Sequence, residues 1–156
     1  MCLSKKILAT SVGLATAAML LVGTSSAYAA YVDKPRSKSI TTGGLLQSDP
    51  INKTFDFVVI FTVSAEAITV PGKDVASLKL SVLSKGPNGK INNVADCAEV
   101  RTPVTRTGFN LKQSATCVHK LDKKSGLGSY VLQASHRMHH GASVKMTMDW
   151  VIITRP

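Results

Sequence analysis

The chain has 156 residues, of which 44% are hydrophobic, and it carries 19 Lys and Arg against 9 Asp and Glu, a formal net charge of +10 at pH 7. This length suits one domain with a modest core. Aromatic residues make up only 5% of the chain. Because proteins that bind single-stranded nucleic acid stack its bases on aromatic side chains, this composition argues against nucleic acid as a partner.

The first 29 residues have the layout of a secretory signal peptide. Lys5 and Lys6 precede an apolar run over 7–22, and Ala-Tyr-Ala at 27–29 supplies small residues at a cleavage site. A membrane anchor is the weaker interpretation, because the run is short and no basic stop-transfer cluster follows it. Cleavage after Ala29 would remove two lysines and no acids, so 17 Lys and Arg against 9 Asp and Glu leave the mature chain at +8.

Residues 30–53 are predicted to form an exposed N-terminal arm. Pro35, the pair Gly43-Gly44 and Pro50 interrupt this polar stretch, and such residues break regular structure. The arm therefore offers at most one short strand, around 45–46.

From residue 54 to residue 156 the pattern is that of a β-domain. Apolar residues alternate with polar ones in several short segments, and turn signals such as Asn88-Gly89 separate them. No segment of the mature chain shows a convincing amphipathic helical period. The pattern predicts an all-β, antiparallel β-sandwich of about seven strands. The predicted strands lie at 54–63, 66–70, 76–84, 98–100, 109–111, 115–121, 129–135 and 143–154.

Two cysteines, Cys97 and Cys117, remain after cleavage, whereas Cys2 is lost with the leader. An even number of cysteines in an exported protein indicates a disulfide, and only one pairing within the chain is possible. It would close a loop of about 20 residues, worth on the order of 3 kcal/mol. A redox pair normally has C-x-x-C spacing, which is absent here. A structural disulfide is therefore expected.

Catalytic motifs are absent from the sequence. Neither G-x-S-x-G nor H-E-x-x-H occurs, and the nine carboxylates are scattered singly. We therefore expect a protein that is not an enzyme and that has no cofactor.

The segment "HRMHHGASVKMTMDW" at 136–150 is the best candidate for binding chemistry. Met146 and Met148 share one face of a predicted strand with Trp150, and His139 lies in the preceding turn. Thioether and imidazole groups are the ligands that Cu(I) prefers. These four residues define an alternative function, a periplasmic copper-binding protein. The same face is also typical of a core strand, in which Met fills irregular gaps. That stripe would consist of Val144, Met146, Met148, Trp150 and Ile152.

The positive charge favours acidic partners, such as acidic glycans or envelope surfaces. Tight basic groups occur at 34–38, 119–124 and 136–140. A solvated basic surface without a specific partner is the other interpretation of this charge.

Two further segments carry a resemblance to a known family. "FDFVVIFTVSAEAITVPGKDVASLKLSVLS" is similar in rhythm to the early strands of chaperone–usher pilins of the alpha-fimbria and common-pilus classes, and "GASVKMTMDW" resembles their closing strand. The resemblance implies an immunoglobulin-like sandwich that lacks its last strand and receives the N-terminal arm of the next subunit by β-strand addition. The arm here would be residues 30–53.

The same resemblance implies partners and a location. The partners would be other pilus subunits and a periplasmic chaperone. The protein would pass through the periplasm to the cell surface of a Gram-negative bacterium. The sequence and the resemblance together thus predict a secreted structural or adhesive surface subunit, a fimbrial subunit assembled by β-strand addition, with copper binding as the alternative.

Overall fold

A computed structural model describes residues 30–41, 43–52, 55–68, 75–86, 88–104, 108, 110–122, 129–137 and 144–154. All regular elements in these ranges are strands, and none of the described segments is a helix that could cross a membrane. The strands are β1 (Tyr31–Val32), β2 (Arg36–Ile40), β3 (Leu45–Gln47), β4 (Phe57–Ile68), β5 (Val75–Lys85), β6 (Ile91–Pro103), β7 (Asn110–Leu121), β8 (Ser129–Arg137) and β9 (Val144–Thr154).

The strands form two antiparallel sheets. In the first, β9 lies between β4 and the two short strands β1 and β2, and β7 follows β4 at the other edge. The second has the order β3-β8-β5-β6. The strand pairs are nested along the chain. β5 pairs with β6 at the centre, and moving away from this hairpin in both directions, β4 pairs with β7, β3 with β8 and β2 with β9. This nested order is that of a jelly roll.

The all-β antiparallel sandwich expected from the sequence is confirmed. The strand order refines the immunoglobulin-like expectation: a constant-type immunoglobulin domain has four strands in one sheet and three in the other, whereas the sheets here have five and four. Here the arm adds β1, β2 and β3 as edge strands, so that the described residues contain nine strands.

The core lies between the two sheets, and alternation along the strands fills it. On β4 the inward residues Phe57, Val59, Phe61 and Val63 are at most 3% exposed. The largest fully buried side chains on other strands include Leu46, Leu78, Leu80, Leu132, Met146 and Met148. At one end, Phe57 and Tyr130 pack edge to face with ring centroids 5.7 Å apart.

A tight backbone contact occurs where the chain crosses from the first sheet to the second. Gly43 has a φ of 96°, and the carbonyl of Gly44 accepts a hydrogen bond of 2.7 Å from the backbone N–H of His136. A Cβ atom on Gly44 would lie 2.5 Å from the carbonyl oxygen of His136. The Gly-Gly pair is thus required for the crossing between β2 and β3.

We expect Gly44→Ala to lower the free energy of unfolding by about 1–3 kcal/mol, because two backbone segments must move apart to admit the methyl group. Urea unfolding of both proteins measures the difference. Gly86→Ala is the matched control, since its nearest neighbour would be a side-chain oxygen of Asn88 at 3.1 Å. An equal loss in both variants would show that the crossing is not the cause.

Candidate assembly interface

The N-terminal arm pairs with the sandwich of its own chain. β1 and β2 both run antiparallel to β9, with register from Tyr31 opposite Thr154 to Ile40 opposite Met146. The backbone N–H of Asp33 also donates to the carbonyl of Ile152 at 2.9 Å. The arm therefore occupies one edge of β9, while β4 occupies the other.

The first part of the arm is anchored mainly by its backbone. Residues 36–39 of β2 are all exposed, and on that strand Ile40 is the residue that packs against the core. The Nζ of Lys38 lies 2.8 Å from a carboxylate oxygen of Asp49 and lowers the pKa of that carboxyl. Both side chains are open to solvent, so this pair adds little. Residues 30–40 are thus weakly held by side chains.

The second part of the arm is anchored more firmly. Leu46 is 1% exposed and Ile51 is 4% exposed, both in the core. The Ser48 N–H donates to the carbonyl of Leu132, whose N–H donates to the Ser48 hydroxyl. Ile51 and Tyr130 exchange two backbone hydrogen bonds. The break between the two parts falls at the Gly43-Gly44 crossing.

A disulfide joins the sheets on the opposite side of the sandwich. It links Cys97 on β6 to Cys117 on β7, with 5.4 Å between the Cα atoms, which confirms the predicted pairing. Each cysteine lies on an edge strand. Leu80 pairs with Ala98, and the next residue of β5 pairs with Asp96, so Cys97 is the extra residue of a bulge. Bulges bend a strand and re-aim its side chains, here across to the other sheet.

Asp96 holds this bulge in place. Its carboxylate accepts hydrogen bonds from Lys79 at 2.7 Å, Asn93 at 2.8 Å and Ser81 at 3.0 Å. These donors, Lys79 first, lower the pKa of Asp96 to about 2. This role could not be predicted from the sequence, because an acid in a polar stretch gives no periodic signal.

A polar pair lies buried at the end of the sandwich near the crossing. His136 Nε2 is 2.8 Å from the Gln113 side-chain oxygen. The Gln113 amide donates to Thr102 and to the carbonyls of Ala76 and Val100. His136 is 6% exposed, and its Nδ1 has no hydrogen-bond partner in the described part of the chain. The only signal in the sequence is a Gln at an inward position of an alternating strand.

Burial lowers the pKa of His136 below its ordinary value near 6.5. The unfolded chain therefore takes up a proton at a pH where the folded chain does not, so stability is full above about 6.5 and is lost as the pH falls below it. We expect the melting temperature to fall between pH 7.5 and 5. His136→Gln should flatten the dependence of the melting temperature on pH, because an amide does not titrate in this range. The introduced amide can still hydrogen-bond to Gln113. A parent profile as flat as that of the variant would contradict the assignment.

The proposed copper ligands lie on the core face of β9. Met146 and Met148 are fully buried and Trp150 is 2% exposed, opposite Ala65, Val63 and Phe61 of β4. The stripe expected from alternation is therefore in the core. His139 lies outside the described residues. No group of three or more His, Cys, Asp or Glu lies together in the described ranges. Copper binding stays a prediction.

The basic groups of the sequence lie on separate elements. Residues 34–38 lead into and form part of β2, 119–121 end β7, and 136–137 end β8. Residue 122 follows β7 directly, and residues 123–124 and 138–140 of these groups fall outside the described part. Several lysines and arginines along the strands form exposed ion pairs, among them Lys112 with Glu66 and Arg101 with Glu99.

Comparison with known proteins gives shape likenesses only. No protein-family model matches the chain, and no curated protein matches it. The structure of the Eiger TNF from S. frugiperda is similar with 9% identity and a TM-score of 0.40, over 76% of this chain and 90% of that one. A structure described as "Bacillus endospore appendages form a novel family of disulfide-linked pili" has 8% identity and a TM-score of 0.34, over 83% and 91%.

A third similar structure is the T13 particle of the virus IBDV, with 13% identity and a TM-score of 0.35. The alignment covers 79% of this chain and 36% of the viral chain, so this protein spans about a third of that one. At these identities and TM-scores, no function is carried over from any of the three.

Proposed function

We propose that the chain is a non-enzymatic structural subunit of a surface assembly, of the fimbrial kind, whose copies are joined by β-strand addition. One observation carries the proposal: residues 30–40 fill one edge of β9 through backbone pairing, with few buried side chains. The Gly43-Gly44 crossing separates this segment from the firmly anchored remainder.

Exchange of the arm between copies would conserve its contacts. If residues 30–40 of one copy pair with β9 of the next, every backbone pair present within one chain forms again between two chains. Exchange of identical elements is a low-cost route to association. It differs from the pilin arrangement in one respect, because the acceptor edge here is filled by the chain's own arm before assembly.

The leader and the disulfide support the proposed export, and the resemblance to pilins supports the proposed location and partners. A signal peptide and a disulfide are both typical of exported proteins. We propose export to the periplasm and then to the surface of a Gram-negative bacterium, with a periplasmic chaperone and other subunits as partners. The basic mature chain would favour acidic glycans or envelope surfaces.

An engineered cross-link tests the arm exchange. Ser39 and Thr147 lie directly opposite each other on β2 and β9. Opposed cross-strand positions are within the Cα separation that a disulfide needs. The variant Ser39→Cys/Thr147→Cys would lock each arm to its own chain, and Ser39→Ala/Thr147→Ala is the matched control.

Electron microscopy and sedimentation of the mature chain (30–156) give the result. We expect fibres from the parent and the alanine control but none from the locked variant. A labelled peptide of residues 30–40 should also bind a chain that lacks its own arm. Fibres of equal length from the locked variant would rule out arm exchange.

A further inference from the structure

The buried polar pair fixes which nitrogen of His136 carries its proton. The Gln113 amide nitrogen lies 3.2 Å from the carbonyl oxygen of Ala76 and 3.3 Å from that of Val100. A carbonyl oxygen accepts and cannot donate, so the reverse orientation of the amide would set oxygen against oxygen. The Gln113 oxygen therefore faces His136 Nε2 at 2.8 Å, and that nitrogen must be the N–H donor. His136 Nδ1 then bears the lone pair of a neutral imidazole.

The buried position of His136 does not accommodate a second proton. Its Nδ1 atom is buried, and none of the described residues offers this atom a hydrogen-bond partner. A proton on Nδ1 would create a cation with an unpaired N–H in a residue that is 6% exposed. Because burial of an unpaired charge is strongly unfavourable, the pKa of His136 is lowered. The position is thus compatible with the neutral ring and opposes the charged one.

The strands packed around His136 offer its ring no counter-charge in the described part of the chain. Leu78 of β5 and Val100 of β6 lie beside it and pack into the core. In the facing sheet the core residues at this end are also apolar: Ala65, Ala67, Val144 and Met146. The nearest charged residues along these strands lie on the outer faces, exposed or half-buried: Glu66, Lys79, Glu99, Arg101, Lys112, Arg137 and Lys145. On the arm, Lys38 is bonded to Asp49 and open to solvent, and His119 lies near the other end of β7.

The same pair of residues supports two attachments of the arm. The backbone of His136 holds the crossing, because its N–H donates to the Gly44 carbonyl at 2.7 Å and its carbonyl oxygen lies against Gly44. Its partner Gln113 belongs to the first sheet, where one cross-strand row consists of Gln113, Ala65, Met146 and Ile40. Ile40 is the residue of β2 that packs against the core. The crossing and the Ile40 row thus meet at the contact between His136 and Gln113.

We propose that protonation of His136 is a switch that releases residues 30–40 for exchange between copies. The proposal deepens the proposed function and rests on it, because it names the condition that opens the arm. A ring that takes up a proton must leave its buried position to reach water. His136 is the last residue but one of β8, so this strand end moves with the ring, and the bonds to Gly44 and Gln113 are lost. The crossing then loses its support, and the edge of β9 opens.

The direction of the switch follows from the protonation of the closed and the open chain. The closed chain keeps the ring neutral, whereas in the open chain the ring is in water and takes up a proton with the ordinary pKa near 6.5. A group that is protonated in the open state alone raises the open population about tenfold for each pH unit below that value. Between pH 6.5 and pH 5 the gain is at most about thirtyfold. Residues 30–40 are therefore held near neutral pH and released in acid.

A labelled, N-acetylated peptide of residues 30–40, which contains no histidine, reports the opening of the arm in the mature chain (30–156). It binds beside β9 when the chain's own arm has left, so its apparent affinity follows the open population. We expect fluorescence anisotropy to show an affinity at least about fivefold higher at pH 5 than at pH 7.5. His136→Gln should reduce this change to less than about twofold, and the matched control His119→Gln should keep the parent's response. The locked variant Ser39→Cys/Thr147→Cys should bind no peptide at either pH.

Nuclear magnetic resonance of the parent gives a second measurement that needs no variant. The titration midpoint of the His136 ring should coincide with the midpoint of the change in peptide affinity, because one proton drives both. The switch is ruled out if the parent binds no peptide at either pH, if its affinity does not change with pH, or if His136→Gln shows the same change. A His136 ring that titrates while the affinity stays constant also rules it out. In each of these cases, fibres from the parent but not from the locked variant would keep the proposed function intact.

Discussion

Replacing both cysteines with alanine is expected to lower the free energy of unfolding by about 3 kcal/mol. The Cys97–Cys117 bond closes a loop with a sequence separation of 20 and joins the edge strands of two different sheets. Loss of this cross-link frees the unfolded chain and leaves the two edges held by packing alone. Urea unfolding of the oxidised parent and of Cys97→Ala/Cys117→Ala measures the difference.

The reduced parent protein is the control for this comparison. It keeps both sulfur atoms, so it separates the cross-link from the packing of Cys117, which is 2% exposed. Reduction alone should account for most of the loss. If reduction leaves the unfolding midpoint unchanged while the double variant is destabilised, the effect belongs to packing rather than to the disulfide.

Met148→Ala is expected to cost about 2–5 kcal/mol, because Met148 is fully buried between the sheets and its truncation leaves a cavity. Met148→Leu nearly preserves the side-chain volume and should cost less than about 1.5 kcal/mol. Thermal and urea unfolding of the two variants measure both values. Equal losses in the two would mean that the site does not respond to volume and is not packed as described.

The leucine variant also tests copper binding. If Met148 holds Cu(I), added Cu(I) should quench the fluorescence of Trp150, the single tryptophan, in the parent but not in Met148→Leu. Absence of quenching in the parent at stoichiometric metal would end the copper alternative. If Met148→Leu is folded, a loss of quenching can be assigned to the missing thioether and not to unfolding.

Strands that are buried on their inner face could be predicted from the sequence. The segments at 76–84, 129–135 and 143–154 correspond closely to β5, β8 and β9, because inward apolar residues alternate with polar ones. The described parts of segments 54–63 and 66–70 belong to one strand, β4 (Phe57–Ile68), since Ser64 and Ala65 stay paired with β7. The residues at 64–65 interrupt the pattern of large apolar side chains, so the sequence predicts two strands where the structure has one.

Strands whose pattern is interrupted by polar or edge residues could not be predicted fully. The sequence predicts a break at 112–114 within β7, because Gln113, though polar, faces inwards to form the buried pair with His136. β6 is an edge strand with two bulges and largely exposed side chains, so its 13 residues lack alternation. Only 98–100 of it was predicted.

The two strands of the candidate interface, β1 and β2, could not be predicted from the sequence. β1 and β2 are held by backbone hydrogen bonds, and their side chains are exposed, so no hydrophobic period reveals them. The resemblance to pilins predicts an arm that adds to a sheet edge, but it does not predict that the arm pairs with β9 of its own chain. That position depends on the nested strand order, which pairs residues far apart in the sequence.

The nested order also has a kinetic consequence. The hairpin β5–β6 closes a short loop, whereas each pair farther out brings together residues that are more distant along the chain, and β2–β9 is the most distant of the four. Because the entropy lost on loop closure grows with loop length, we expect β2 to dock last during folding. Until then the edge of β9 is open. A folding chain would thus pass through a period in which the arm of another copy competes with its own, so the concentration of chains at the site of folding would decide between monomer and assembly.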